Sequence, residues 1–464
     1  MNRHPSLPKH LVHSLTRYCR RSLLAVLGFA GSAAFAAESF DWPQWQGPNR
    51  NAVSHETGLL QQWPESGPPL AWTISGLGGG YGTPSVAKGR IFGMSSRGED
   101  EVVWSLSESD AEELWVTRLG SALTEGMPQG KEGAGCTPTV DGDRLYVLGL
   151  SGDLVCLQIS DGKILWRKNL TTDLGGVLPT WRYNESPLID GDKLVVTPGG
   201  DEATLVALNK TTGGTIWKGV LPKPSAGNSE NSGQRGRGGR PGMRDSGAGY
   251  SSAIAIDFEG QRQYVQFTSK ALAGFAASTG ALLWQYDRPA NNFGINCSTP
   301  VHVDGKILAA SAYRAGGGLV ELSKEDGEVT AKEIWFSKDL ENHHGGMLVI
   351  DGAVYGSNGG NGGGYLICLD FQTGDVLWDE KDPDKRRAKK GSVAQADGRI
   401  YHRTEDGEMV LIEPNRMNYI ERGRFEQPDR TNQPAWTHPI IANGKLYLRD
   451  QDQLFCYDVN QRDR

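Results

Sequence analysis

An aromatic residue closes one short segment after another along this chain. Segments with strand-like patterning end on Trp115 ("DAEELW"), Trp166 ("DGKILW"), Trp217 ("TGGTIW"), Trp284 ("TGALLW"), Trp335 ("AKEIW") and Trp378 ("TGDVLW"). Phe425 holds the same place after "YIERGR". Counted from Trp72, successive aromatics lie 43 to 67 residues apart, a spacing that fits one four-stranded unit per repeat. The stretch "CTPTVDGDRLYVLGLSGDLVCLQISDGKILW" shows the grammar of a unit. Residues alternate apolar and polar over Thr139 to Val147 and over Leu154 to Ile159, the period of half-buried strands. Gly142, Gly152 and Gly162 fall in the gaps, where tight turns need positive φ.

The openings of the units fix their number. They begin at Thr83-Pro84, Thr137-Pro138, Ser186-Pro187, Ser251-Ser252, Thr299-Pro300, Gly345-Gly346, Ser392-Val393 and His438-Pro439, which makes eight. The last opening is followed by three strand-like segments only, while "PPLAWTIS" with Trp72 is a closing strand that lacks an opening. Pairing the two completes an eighth unit and leaves no open sheet edge. The sequence thus predicts an all-β chain: an eight-bladed β-propeller of four-stranded antiparallel blades over residues 70–464, its ring closed by an N-terminal strand. The closing tryptophans are read as structural, because a large flat ring between blades buries about 150–250 Å² at little entropic cost.

Three stretches fall outside the pattern. Residues 1–21 hold five bases and no acid, and Leu23 to Phe35 is apolar and runs into Ala34-Phe35-Ala36, so residues 1–36 read as an export signal cleaved after Ala36. Arg20-Arg21 leaves both ordinary secretion and twin-arginine export open. Residues 37–69, rich in Trp and Pro, are expected to cross a face of the ring as a strap. Residues 223–247, rich in Gly, Ser and Arg, are expected to form a disordered insertion between the third and fourth blades.

Residues 37–464 carry a net charge of −12, a poor surface for nucleic acid or anionic lipid. No apolar run beyond the signal reaches the roughly 20 residues that span a bilayer. A monomer in the periplasm or outside the cell is therefore expected. Five cysteines follow the signal, an odd number, and Cys156, Cys368 and Cys456 sit in alternating contexts where buried thiols serve as small hydrophobes. No Gly-x-Ser-x-Gly elbow, P-loop or His-Glu-x-x-His is present, so hydrolase chemistry has no residues to stand on.

The repeated (Asp/Thr)-Gly-x-x-x-Trp closing, in eight units over residues 70–459, resembles the PQQ-binding-like β-propeller repeat superfamily. The opening "FDWPQWQGPNRNAVSHETGLLQQWPESGPPLAW" and the ending "AWTHPIIANGKLYLRDQDQLFCYDV" look like a secreted subgroup of planctomycete-type bacteria. The resemblance implies one of two functions. One is a scaffold without chemistry, like the lipoprotein of the outer-membrane β-barrel assembly machinery. The other is a PQQ- and calcium-dependent alcohol or polyol (polyvinyl-alcohol-type) dehydrogenase, in which Glu and Asn hold calcium and an Asp takes the substrate proton. Glu185 and Asn296, just before the inner strands of the third and fifth blades, are the weak calcium candidates. The adjacent-cysteine pair of the larger dehydrogenases is missing, and no Asp stands at a comparable place.

The residues before the inner strands should converge at one mouth of the ring. Tyr81, Tyr183, Glu185, Tyr250, Asn296, His344, Trp436 and His438 are the funnel candidates for binding a small or extended ligand, with no catalytic residue assigned. His343 and His344 are adjacent, and in extended chain their side chains point opposite ways, so at most one is expected to face the channel and no metal site is assigned. The reading that follows is an exported binding or scaffolding module of the cell envelope with no assured cofactor. Its partner would be an envelope protein or an extended polymer or peptide.

Overall fold

In a computed structural model, the described residues are 39–122, 133–222, 247–379 and 388–461. They form eight four-stranded antiparallel sheets. The inner strands are Ser85–Ala87, Thr139–Asp141, Leu188–Asp190, Ile254–Phe258, Val301–Val303, Met347–Ile350, Gly391–Ala396 and Ile440–Ala442 for blades 1 to 8. Seven blades are meanders of consecutive strands. The eighth takes Leu70–Ile74 as its outer strand, paired with Gln453–Asp458, so the ring closes as the orphan segment around Trp72 predicts. Residues 1–36, expected to be an export signal, and most of the Gly/Arg-rich insertion lie outside the described residues. No helix among the described residues is long and apolar enough to cross a membrane.

The outer pair of strands carries a bulge that the alternation did not predict. In seven blades one extra residue sits directly before the closing tryptophan: Ala71, Leu114, Leu165, Ile216, Leu283, Ile334 and Leu377. A bulge breaks the period of two, which explains how two adjacent apolar residues fit a strand with one open face. The extra residue turns outward, and Leu114, Leu165, Ile216 and Ile334 are exposed. The tryptophan turns toward the next blade.

There the indole makes two contacts. Its N–H donates to a carbonyl of the next blade's turn: Trp115 to Ile159 at 2.9 Å, Trp166 to Lys210 at 3.0 Å, Trp217 to Ala277 at 3.0 Å, Trp335 to Phe371 at 2.9 Å and Trp378 to Asn415 at 2.8 Å. For Trp115, Trp166, Trp217 and Trp335 the ring also lies against the turn glycine of that blade, so a Cβ on Gly280 would meet Trp217 at 2.3 Å. Trp284 departs from the rule and donates to Gln263 of its own blade. Its neighbour is the blade whose outer hairpin runs on to Glu325 and Glu328 before turning.

The inner strands of neighbouring blades pack against one another around the axis. The strap does more than cross a face, because residues 42–54 enter the space between these strands. Trp42 pairs with Val86 of blade 1, Pro43 accepts from the Val140 N–H of blade 2, and Val53 pairs with Gln395 of blade 7. At the tip, the Trp45 indole donates to the Thr299 hydroxyl of blade 5 at 2.8 Å and its ring meets His438 of blade 8 at 4.5 Å. Arg50 donates to the carbonyls of Ser186 and Pro187 in blade 3 at 2.7 and 3.0 Å. Six blades are thus tied to one loop, which buries Trp42, Gln46, Arg50 and Ala52 while Pro48, Asn49 and Asn51 stay exposed, and whose sharp reversal uses positive φ at Gln46, Gly47, Arg50 and Ala52.

Candidate functional site

The Ser/Thr-rich openings of the blades work as staples, which explains why hydroxyls recur there. Ser186 Oγ accepts from the Thr137 N–H, Ser252 Oγ from the Ser186 N–H, and Thr83 Oγ1 from the His438 N–H. Each bond joins one blade to the next and satisfies an N–H just ahead of the inner strand, outside the ladder of its own blade.

Several funnel candidates are spent in the same way. Tyr183 is buried, and its hydroxyl donates to the Pro198 carbonyl at 2.8 Å. Glu185 is buried, with Oε2 accepting from the Thr197 hydroxyl at 2.7 Å and Oε1 from the Thr197 N–H. Burial raises its pKa to about 7, while Thr197 and the Arg50 charge pull the other way. Asn296 is fully buried. Its Oδ1 accepts from Ser311 Oγ at 2.8 Å, Asn291 Nδ2 at 3.0 Å and the Asn291 N–H at 3.1 Å, and its Nδ2 donates to the Thr268 carbonyl. A calcium ion requires several oxygens free to turn toward it. Oxygens already engaged inside two separate corners do not fit that role. The pocket beside Glu185, lined by Arg182, Thr197, Tyr250 and Gln266, has room for about one water molecule.

The remaining candidates do converge. Tyr81 lies on Trp436 with ring centroids 4.8 Å apart, Trp436 meets His344 edge-on at 4.4 Å, and the His344 carbonyl accepts from His438 Nε2 at 2.8 Å. His343 stacks with His344 at 3.8 Å and meets Tyr313, which in turn meets Phe293 at 5.1 Å. Tyr250 stands to one side, where its backbone bridges Asn296 and its hydroxyl accepts from the Trp181 N–H. It holds φ at +79°, a costly conformation for an aromatic residue.

Both imidazoles face the same cluster, contrary to the alternation expected of extended chain. The chain bends at His344-Gly345 before the inner strand of blade 6 begins. Asn342 holds that bend: its Nδ2 donates to the carbonyls of Gly346 and Ser357, and its Oδ1 accepts from Ser298 Oγ at 2.9 Å. The last bond draws in the corner of blade 5, and with it Cys297. One donor atom from each of Cys297, His343 and His344 lies within 4.8 Å of the other two.

Cys297 is the residue that sequence reasoning missed as a partner. All five described cysteines are free thiols, and four are buried while Cys297 is partly exposed. Its context, "GINCSTP", lacks the alternation that marks a strand thiol, and that was the available signal. Burial pushes its pKa up to about 12 and that of His343 down to about 3. His344 is held well below the ordinary imidazole value by burial, then by His343, Lys390 and His438. Lys390 itself pairs with Glu405 at 3.1 Å.

Eight blades of this repeat, with polar corners gathered at one end of the axis, define a β-propeller of the PQQ-repeat type. The model of the family described as outer membrane protein assembly factor BamB matches residues 120–380, and the chain belongs to that family. BamB from Moraxella catarrhalis superposes with a TM-score of 0.54 at 16% identity, over 85% of this chain and 98% of the other. The quinohemoprotein alcohol dehydrogenase from Comamonas testosteroni superposes with a TM-score of 0.61 at 13% identity, over 92% and 81%. A europium-containing methanol dehydrogenase does so with a TM-score of 0.58 at 13% identity, over 89% and 90%. At these identities the likeness is one of fold. No curated protein matches the sequence at a significant level.

Proposed function

We propose that this protein is an exported binding or scaffolding module of the cell envelope that receives an extended protein or polymer segment on its funnel. The observation that carries this reading is the state of the axis. Residues 42–54 of the chain itself occupy the space between the inner strands, and Glu185 and Asn296 are consumed by internal hydrogen bonds. What the funnel offers instead is a set of aromatic and imidazole side chains at Tyr81, Phe293, Tyr313, His344 and Trp436. Such groups bury large area at low entropic cost when they meet a partner. The family description, an outer membrane assembly factor, agrees with a role in holding other chains.

Two measurements test the reading. The purified chain is incubated with PQQ and calcium, and a dye-linked alcohol oxidation assay is run. Stoichiometric quinone retention with turnover would overturn the scaffold. Photo-crosslinking from position 293 in the funnel and from position 216 on the outer rim is then compared in cells of the native host. A defined product from the funnel alone is expected, and products from the rim alone would move the binding surface elsewhere.

A further inference from the structure

We propose that Cys297, His343 and His344 form a binding site for a thiophilic transition-metal ion of the copper–zinc type. The three side chains come from two blades and offer donor atoms within 4.8 Å of one another. The set is one sulfur and two imidazole nitrogens with no carboxylate, which selects copper or zinc over calcium or magnesium.

A second, independent observation points to a ligand. His343 is 8% exposed, and its buried Nε2 has no hydrogen-bond partner among the described residues. An orphaned buried nitrogen is costly, and a metal ion in reach would satisfy it. The corner is also held in place before any ion arrives, since the Ser298–Asn342 bond fastens the residue after Cys297 to the residue before His343. Asn342 fixes the bend that turns both imidazoles to one side. Cys297 and His344 remain partly exposed, which gives an ion a way in from the funnel. Binding would replace the thiol proton of Cys297, released to solvent, by the metal–sulfur bond. The site uses neither Glu185 nor Asn296, so it stands whether or not the scaffold reading does.

The test uses the purified, reduced full chain after treatment with a chelator. Cu(I) under anaerobic conditions and Zn(II) are each titrated against a competing chromophoric chelator. One equivalent of at least one of the two ions should be retained. Cys297→Ser and His344→Ala should each weaken it at least ~100-fold, more than loss of an outer-shell partner does, while His55→Ala, on the exposed strap, should not change it. Co(II) gives a direct reading of ligation: a thiolate-to-cobalt charge-transfer band in the full chain that is absent in Cys297→Ser. Near-ultraviolet circular dichroism and the melting temperature show whether the variants are folded. Failure of the folded chain to retain either ion, or retention unchanged by both substitutions, would overturn the site.

Discussion

A single methyl group is enough to probe how the blades are joined. Gly260 and Gly280 share nearly the same backbone, φ +74° and +75°, but a Cβ on Gly260 would meet nothing within 4 Å while one on Gly280 would strike Trp217. Gly260→Ala should therefore cost about 1–2 kcal/mol for the left-handed conformation alone. Gly280→Ala should cost about 2–5 kcal/mol, because overpacking is added. Urea midpoints of the two variants compare them directly. Gly162, Gly213, Gly280 and Gly374 are legible in the sequence as turn residues, yet their contact with the previous blade's indole is not. A second test at this scale concerns Glu101, buried in blade 1, where it accepts from the Leu150 N–H of blade 2 at 3.0 Å. Burial raises its pKa from 4.5 to about 7. The folded chain then holds this proton more tightly than the unfolded one. The resulting stability is fully present below pH 4.5 and is lost as pH rises through 7. Between pH 5 and 8 the wild type should lose up to about 3 kcal/mol relative to Glu101→Gln, from 1.36 kcal/mol per pKa unit. Unfolding curves at the two pH values check the sign.

At the scale of elements, the axial loop is the feature that most separates this chain from an open ring. Arg50 carries its tip into blade 3 and lies close enough to Glu185 for each charge to favour the other. Arg50→Ala leaves the Ser186 carbonyl without its donor, while the Pro187 carbonyl keeps the Thr139 hydroxyl, and should cost about 1–3 kcal/mol. Combined with Glu185→Gln, the loss should be smaller than the sum of the singles, a coupling that a double-mutant cycle in guanidinium chloride measures. Strands, turns and the closing aromatics follow from residues a few positions apart, and the sequence displays them. The bulges at Leu114 or Ile216 do not, since two adjacent apolar residues look the same with or without an extra residue in register. Nor does the loop, because "FDWPQWQGPNRNAV" finds its partners in blades that begin as many as 390 residues later.

For the whole molecule the question is how a ring of repeats becomes one cooperative unit. Blade 8 is held by the strand around Trp72 and also by Arg449, whose buried guanidinium donates to the carbonyls of Gly82, Met94 and Gly78 and to Ser95 Oγ, all beside or within blade 1. Arg403 of blade 7 donates to the carbonyls of Thr437 and Arg449 in turn. Burial lowers the pKa of both to about 9, and carbonyl acceptors stand where a carboxylate is often found. Arg449→Met should strand several buried acceptors and cost at least about 3 kcal/mol. Arg118→Met, on an exposed ion pair, should stay within about 1 kcal/mol. Thermal scans that show a lower, broader transition for the first alone would locate the seam of the ring.

The number of blades, their strand order and the closing of the ring were determined by the sequence alone, since alternation, turn glycines and a missing fourth strand are local or countable properties. The tertiary structure alone decided which corner side chains are spent and which remain. Glu185 and Asn296 look available as letters but are satisfied by hydrogen bonds from within their own blades and loops. Cys297 has no role that its neighbours in the sequence reveal; the Ser298–Asn342 bond and the bend at His344 bring it to two imidazoles. Hydrogen bonds between blades set those orientations, and no periodicity in the chain records them.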